Sequence, residues 1–579
     1  MILLSLQLPV YGLPAEPKID PATELVDNSG QEKIITIMSQ ISHNKVVNVK
    51  ESIEFLRTEN IDKDLNLQAI ADYFAPKTVI GNIFLKETLS RPVLGSDQSG
   101  IVALRKNIIA RLVEDPKFKQ KIDAILDEAA EQEKVATELL SEGFKGKTCG
   151  SDLKKLENLK KDTFIDYHLY KFGVYNTSFR TFCLCTSGIM FFSSLAASAV
   201  FRPLIKFKEN KFNVSNSTNF LEFLKFYGFI NSLLLCYLFG ESLYKELSKA
   251  GEKRVIMRSL NKLIHGAQEI EFLCNGMNLD TQFKISSIKN KECLALLEGL
   301  QYSRYEDKTN YFFHVPAVHT LLYQVYDHEN KLGPLFASIA EMDACNAIAT
   351  KILESKNSAR QFCFAQPIES TKPQINSVNF WNVLVPNAVP NSIDFNQHII
   401  LTGPNAGGKT TSIRANLQNI VLAQTYGVAA AESFVYTPFD IILSYLNISD
   451  DLVNGLSLFA SEIKRAQELL ELIKTLQPGQ KLFFALDELF TGTAAEQGEK
   501  CAYEFIKKIA GYENTLFVYA THFNKLKELG DQSLGLMNYK VDAPDKNQAG
   551  KLVYPFTLSP GASSVNIAED MAKEAGLFD

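Results

Sequence analysis

An α/β domain at the carboxy-terminal end, preceded by a mainly α-helical core or lever region, is the architecture this sequence predicts, and three stretches predict it. In the first, an apolar strand at Ile399–Leu401 runs into Gly403, Pro404, Asn405, Ala406, Gly407, Gly408, Lys409 and Thr410. This run fits the G-x-x-x-x-G-K-[ST] phosphate loop without a gap. Its glycines let successive backbone N–H groups face a phosphate, Lys409 reaches the β and γ oxygens, and Thr410 offers its hydroxyl to Mg²⁺. A helix over Ser412–Thr425 would add its dipole to the same place. The second stretch, Lys481–Glu488, reads as a buried strand ending in two carboxylates. Asp487 suits the Mg²⁺ and Glu488 suits polarisation of an attacking water. The third, Thr515–Ala520, is a strand followed by Thr521 and His522, which puts an imidazole at the same sheet edge. Open α/β sheets bind ligands at that edge, so His522 is read as a γ-phosphate sensor.

These segments carry a resemblance. Thr402–Thr411, Asp450–Glu462, Leu486–Thr493 and Ala520–His522 stand in the order and at the spacing of the ATPase domain of the MutS family. That domain is related to the ABC transporter ATPases and works as a dimer. The resemblance implies ATP and Mg²⁺ as ligands, with Gly403 to Thr411 around the nucleotide, Thr411 included. It makes Lys409, Glu488 and His522 the catalytic set, and gives Thr410 and Asp487 to the metal. It also implies that Ser457, at a helix N-terminus, points at the γ-phosphate bound by the other subunit. Two positions depart from the family pattern: Leu458 replaces a usual Thr, and Leu456 stands where a basic residue is common. The family's aromatic shelf for adenine is replaced by Ala388 near its expected place.

Composition sets outer limits. A chain of 579 residues is too long for one core, and 46% hydrophobic with 22% charged residues describes folded protein. Net charge is −6, so any contact with DNA needs a local patch. Nine cysteines, an odd number without a Cys-x-x-Cys pair, exclude a disulfide framework and a zinc site as readings and suit a reducing compartment. The apolar start, Met1–Ala15, lacks the basic region of a signal peptide and is broken by Pro9. It is read as a partner-binding or frayed segment, with a signal peptide as the alternative.

Taken in order, residues 1–60 form an N-terminal segment with a helical stretch from Gln31 to Arg57. Helical spacing of Ile80, Ile83, Phe84 and Leu89, ended by Pro92, and then Gly100–Pro116 resemble the opening of the MutS core. Residues 117–180 continue as amphipathic helix. Thr181–Phe201 then carries no charge for about six turns, and Phe226–Tyr244 carries only Glu241. The first run is long enough to span a bilayer, and the pair is expected to form a membrane hairpin at 181–244, with two buried helices at a subunit contact as the alternative. Charged helix returns at 245–312. Ile339–Ala349 and Phe362–Pro367 resemble the closing helix of the core and the strand entering the ATPase domain. The expected division is thus 61–369 for the helical domain and 370–579 for the ATPase, with 370–397 as an irregular lead. About eighty residues before the core leave no room for the family's mismatch-reading domain, and Phe220-Leu-Glu222 matches its motif in letters only. The family's C-terminal helix-turn-helix is not expected either. The resemblance makes the default function an ATP-driven, DNA-binding homodimer in mismatch repair or DNA-structure recognition. DNA binding is expected to be weak and not mismatch-selective. A membrane-anchored relative acting on something other than DNA is the alternative, its ATPase domain cytoplasmic in either case. An ABC transporter ATPase fits less well, because Asp451–Ser457 lacks the Leu-Ser-Gly-Gly-Gln signature.

Overall fold

The computed structural model describes residues 62–93, 100–142, 258–279, 329–404, 406–446, 457–531, 535–548, 551–565, 572–573 and 577. Chain contacts divide it into two compact units. One comprises Met1–Lys33, Gln132–Ile264 and Lys289–Leu332, the other Ile34–Glu131, His265–Ile288 and Gly333–Asp579. Of the first unit, helical residues 132–142, 258–264 and 329–332 are described. Both uncharged runs, 181–201 and 226–244, lie outside the described residues, as do 1–15 and the expected helix at 31–57. Among the described residues, no helix is long and apolar enough to cross a membrane.

The second unit opens with helices. α1 (Leu67–Phe74) starts at Asn66, whose side chain accepts from Ala69 N. α2 (Val79–Ser90) starts at Thr78, which caps Gly81 N. Pro92 follows two residues after its end, as the sequence predicted. α3 (Ile101–Glu114) and α4 (Pro116–Glu142) come next, and Pro116 occupies the first-turn position where its missing N–H costs nothing. α5 (Glu329–Ser355) contains the Ile339–Ala349 run, and its two acids there are structural. Asp343 accepts from Lys77 N at 3.0 Å and from Thr78 N and Oγ1 at 2.7 Å each, tying α5 to the start of α2. Burial pushes its carboxyl above the ordinary range. Glu341 pairs with Arg105 Nε at 3.2 Å.

Arg105 is the hinge-pin of this packing. Its NH1 donates to the Thr425 carbonyl at 3.1 Å, and its guanidinium lies 5.1 Å from the Tyr426 ring centroid. It therefore meets the carboxyl end of α6 (Lys409–Tyr426), where the helix dipole favours a cation. Both charges of the pair are buried, at 5% and 4% side-chain exposure. Arg105→Ala should then destabilise the fold by about 3–5 kcal/mol, because Glu341 keeps its burial and loses this cation. Urea unfolding measures it, and a change under about 1 kcal/mol would contradict the assignment.

The α/β part is built on a six-stranded sheet. Its strands are β5 (His398–Thr402), β8 (Ile441–Tyr445), β9 (Leu482–Asp487), β10 (Thr515–Ala520), β11 (Leu536–Val541) and β14 (Leu558–Pro560). The order is β14-β11-β5-β10-β9-β8. Four of the five neighbour pairings are parallel, and β14 is antiparallel to β11. Every residue of β5, β8 and β10 is buried, as parallel strands covered on both faces must be. Alternation along β9 assigns the faces. Leu482, Phe484 and Leu486 join a core with Ala466, Leu469 and Ile473 of α7 (Leu458–Thr475) and Ala502, Ile506 and Ile509 of α8 (Ala495–Ile509). Leu526 and Leu529 of α9 (Asn524–Asp531) close that layer. Phe483 instead meets Phe439 at 5.4 Å and Phe395 at 6.2 Å between ring centroids.

Phe395 belongs to a second sheet that sequence reading missed. Residues 370–397 were expected to be irregular, yet they hold β3 (Ile375–Phe380) and β4 (Asn391–Phe395). With β2 (Gln366–Pro367) and β7 (Ser433–Tyr436) they form a four-stranded sheet in the order β2-β7-β3-β4. Pro373, Pro386 and Pro390 suggested a loop, but all three lie outside these strands, where a missing N–H breaks no ladder. The remaining two-residue strands are β1 (Cys363–Phe364) with β6 (Val428–Ala429), and β12 (Asp545–Lys546) with β13 (Leu552–Val553).

Candidate functional site

The site grows from the register of three parallel strands. β10 lies between β5 and β9, pairing Ala520 with Leu401 on one side and with Asp487 on the other. The carboxyl ends of all three therefore stop at one level. Thr521 N donates to Leu401 O and Glu488 N to Ala520 O, each at 3.0 Å, which carries the alignment one residue past the strands. The Gly403–Gly408 loop leaves β5 there, Asp487 and Glu488 end β9, and His522 follows β10.

The loop then feeds α6, which starts at Lys409 rather than at the expected Ser412. Gly408 makes that early start possible. It caps the helix at φ 97°, a left-handed conformation open to glycine, and a Cβ there would lie 3.3 Å from the Phe556 ring. Ala406, exposed, takes φ 62°. Gly407 is buried against Pro404, to whose carbonyl its N–H donates at 3.2 Å. Thr411 is exposed, and its carbonyl accepts from Asn382 Nδ2 at 3.2 Å. Asn405 is outside the described residues.

Side chains from the three strand ends meet. Lys409, only 5% exposed, directs Nζ to Gly403 O at 3.1 Å, Pro404 O at 3.3 Å and His522 Nε2 at 3.1 Å. Burial lowers its amine from the ordinary lysine range. Thr410 Oγ1 donates to Asp487 Oδ2 at 2.5 Å. The other oxygen, Asp487 Oδ1, is buried without a hydrogen-bond partner. Burial raises this carboxyl, so both residues carry charge at a desolvation cost that an opposite charge would offset. His522 Nε2 also lies 2.8 Å from Glu488 Oε1, and this hydrogen bond holds Glu488 below the usual carboxylate range. One ring nitrogen cannot serve both neighbours: Nε2 must accept from the Lys409 ammonium but donate to the Glu488 carboxylate. The proton's place on His522 thus selects its partner.

Glu488 sits at φ 52° and Phe490 at φ 71°, positions that non-glycine residues rarely take and that cluster at functional sites. Ser457 joins none of these contacts. It is exposed and caps α7, its Oγ accepting from Ala460 N at 3.5 Å.

Three residues near the site were missed by sequence reading. Phe556, 45% exposed, stands beside Gly408 and stacks on Tyr554 at 5.8 Å. Asn391 clamps it, donating to Phe556 O at 2.9 Å and accepting from Leu558 N at 2.7 Å. Glu462, within the quoted Asp450–Glu462 segment, accepts from Thr491 and Gly492. An aromatic pair flanking a proline (Tyr554-Pro555-Phe556) was the available signal for the first, but its distance from the loop exceeds 140 residues and only the fold closes it.

Comparison with known proteins finds relatives for this part of the chain. The model of MutS domain V matches residues 399–578. The DNA mismatch repair protein MutS of Streptococcus mutans is 27% identical over 312 residues, which are 52% of this chain and 35% of that protein. The protein of the same name from Streptococcus equi subsp. equi is 27% identical over 316 residues, with the same coverage. That of Streptococcus agalactiae is 26% identical over 313 residues, 51% of this chain and 34% of its own. The matched region therefore spans about a third of the length of these relatives. On these matches, residues 399–578 are similar to MutS domain V, and about half of this chain is similar to MutS proteins.

Proposed function

We propose that the chain hydrolyses ATP at this sheet edge and couples hydrolysis to closure of a homodimer, in a MutS-like role in DNA mismatch repair or DNA-structure recognition. MutS domain V is the ATPase domain of its family, and the proposed domain division stays 1–60, 61–369 and 370–579. The observation that carries the reading is the convergence of Lys409, Thr410 with Asp487, Glu488 and His522 from three neighbouring strand ends.

The residues fit the ligands. The loop N–H groups, the α6 N-terminus and Lys409 suit the phosphates of ATP. Phe556 offers a flat apolar surface beside Gly408 for the base, in place of the shelf lost at Ala388. The orphaned Asp487 Oδ1 and the Thr410 hydroxyl form an all-oxygen donor set that suits Mg²⁺. When bound, that ion neutralises charge developing on the transferred phosphoryl group. Glu488, kept ionised, takes a proton from the attacking water, and His522 holds that carboxylate in place. Ser457, exposed at a helix N-terminus and apart from its own subunit's site, is the group offered to the partner's γ-phosphate.

The trans role makes a sharp expectation. Ser457→Arg and Lys409→Ala subunits, mixed, should recover part of the activity that each lacks alone, since one class of composite site has both groups intact. Full activity in a strict monomer would contradict it.

For the DNA-directed role, matched and mismatched duplexes titrated at two salt concentrations supply the test. Binding should weaken as salt rises and prefer the mismatch by less than tenfold, about 1.4 kcal/mol. A second reading, a membrane-anchored ATPase acting on a non-DNA partner, rests on the uncharged run Thr181–Phe201. Salt-sensitive DNA binding by a chain that stays out of the membrane fraction supports the first reading. A chain that sediments with membranes and ignores DNA supports the second.

A further inference from the structure

Glu462 is a buried carboxylate, 2% exposed, in the second turn of α7. Its partners are not cations. Oε1 accepts from Thr491 N at 3.0 Å and Thr491 Oγ1 at 3.4 Å, and Oε2 accepts from Gly492 N at 3.1 Å. Among the described residues it makes no salt bridge. Burying a charge against neutral donors is costly, and an apolar contact would hold two elements together more cheaply. What a carboxylate adds is direction: two parallel acceptors fix two consecutive N–H groups in one orientation.

The joint is tight as well as directional. A Cβ on Gly492 would lie 2.7 Å from Phe459 N, 3.0 Å from Leu458 Cγ and 3.0 Å from Glu462 Oε2. The 491–492 backbone thus touches the first turn of α7, directly after Ser457. On its other side the same segment follows Glu488, whose left-handed backbone begins it. Tyr519 OH donates to Leu489 O at 2.7 Å, pinning the segment to β10. The 488–492 segment is therefore held at one end by β9 and β10 and at the other by Glu462.

We infer that Glu462 is a positioning residue for hydrolysis: it locks the Ser457 helix to the segment that carries Glu488, so that the group offered to the neighbour's nucleotide and the subunit's own base move as one body. This rests on the proposed ATPase reading and deepens it. Misplacing a base by about 1 Å is enough to cost up to ~10²-fold in rate, and binding of the phosphates, which depends on the 403–410 loop, should be spared.

The test uses the full chain with Mg²⁺ and ATP, and a fluorescent ATP analogue for affinity. Glu462→Gln keeps the shape but turns one acceptor into a donor facing an N–H. Turnover should fall between about tenfold and a hundredfold, with KM and analogue affinity within about threefold of the unaltered chain. Gly492→Ala, which wedges the same joint apart from the other side, should give the same profile. In a Glu488→Ala background, Glu462→Gln should cost clearly less than it does alone, because the part of its effect that acts through the base is already removed. Unchanged turnover in both single variants would overturn the inference, as would losses that multiply in the double variant. So would a parallel fall in nucleotide affinity and thermal midpoint with turnover, the mark of a structural tie alone. If the unaltered chain binds and hydrolyses no ATP, the ATPase reading itself fails, and this one with it.

Discussion

Glu488→Ala should bind ATP with near-normal affinity and turn it over at least ~10²-fold more slowly, the loss expected on removing a positioned base. The carboxylate is half-buried, strained at φ 52° and fixed by a 2.8 Å hydrogen bond from His522. None of its described contacts reaches the 403–410 loop backbone, which is why binding should survive. The pH dependence follows with its sign. The His522 hydrogen bond stabilises the ionised form, so the Glu488 carboxyl titrates below the ordinary glutamate range. The acid limb of kcat/KM should lie below that range, and His522→Ala should move it upward. In linkage terms the depressed carboxyl contributes stability above its unfolded value, lost as pH falls through the folded one. Equal turnover by Glu488→Ala and the unaltered chain would remove the residue from the role of base.

Lys409→Ala should abolish nucleotide binding at concentrations that saturate the unaltered chain. The ammonium donates to the Gly403 and Pro404 carbonyls of the loop, and burial lowers its amine. A triphosphate entering this loop would lose two or more charge-assisted hydrogen bonds, each worth about 1.5–3 kcal/mol. That corresponds to an affinity loss of roughly 10²-fold or more. Equilibrium binding of a fluorescent ATP analogue measures it, with thermal unfolding as the control for folding. An affinity within about threefold would show that the phosphates sit elsewhere.

The contrast between these two residues and Glu462 shows what each level of description supplies. Lys409, Thr410, Asp487, Glu488 and His522 were legible because phosphate chemistry demands certain residue types at short, fixed offsets from a strand. Their strands were legible for a related reason: parallel strands buried on both faces read as continuous apolar runs, as at Ile399–Leu401 and Leu516–Ala520. The α2 boundary at Pro92 was equally local. Misreadings arose where local signals were ambiguous. The prolines of 370–397 pointed to a loop because sequence cannot say that they flank strands rather than interrupt them. The start of α6 was placed three residues late because glycines and lysine in a phosphate loop do not advertise a helix.

Sequence by itself determined the inventory of the candidate site: a glycine-rich loop of the phosphate-loop pattern, two acids after one strand and an imidazole after another. Tertiary structure decided the rest, because strand order, register and long-range contacts are settled by packing between segments from about thirty to more than three hundred residues apart. Placing β10 between β5 and β9 is what lets His522 lie within hydrogen-bond reach of both Lys409 and Glu488. The same packing set Phe556 beside Gly408, joined Glu462 to Gly492, and gave Arg105 to the far end of the phosphate-loop helix. Each of these pairs satisfies a buried polar group or covers an exposed backbone, and such needs arise only once the chain has folded.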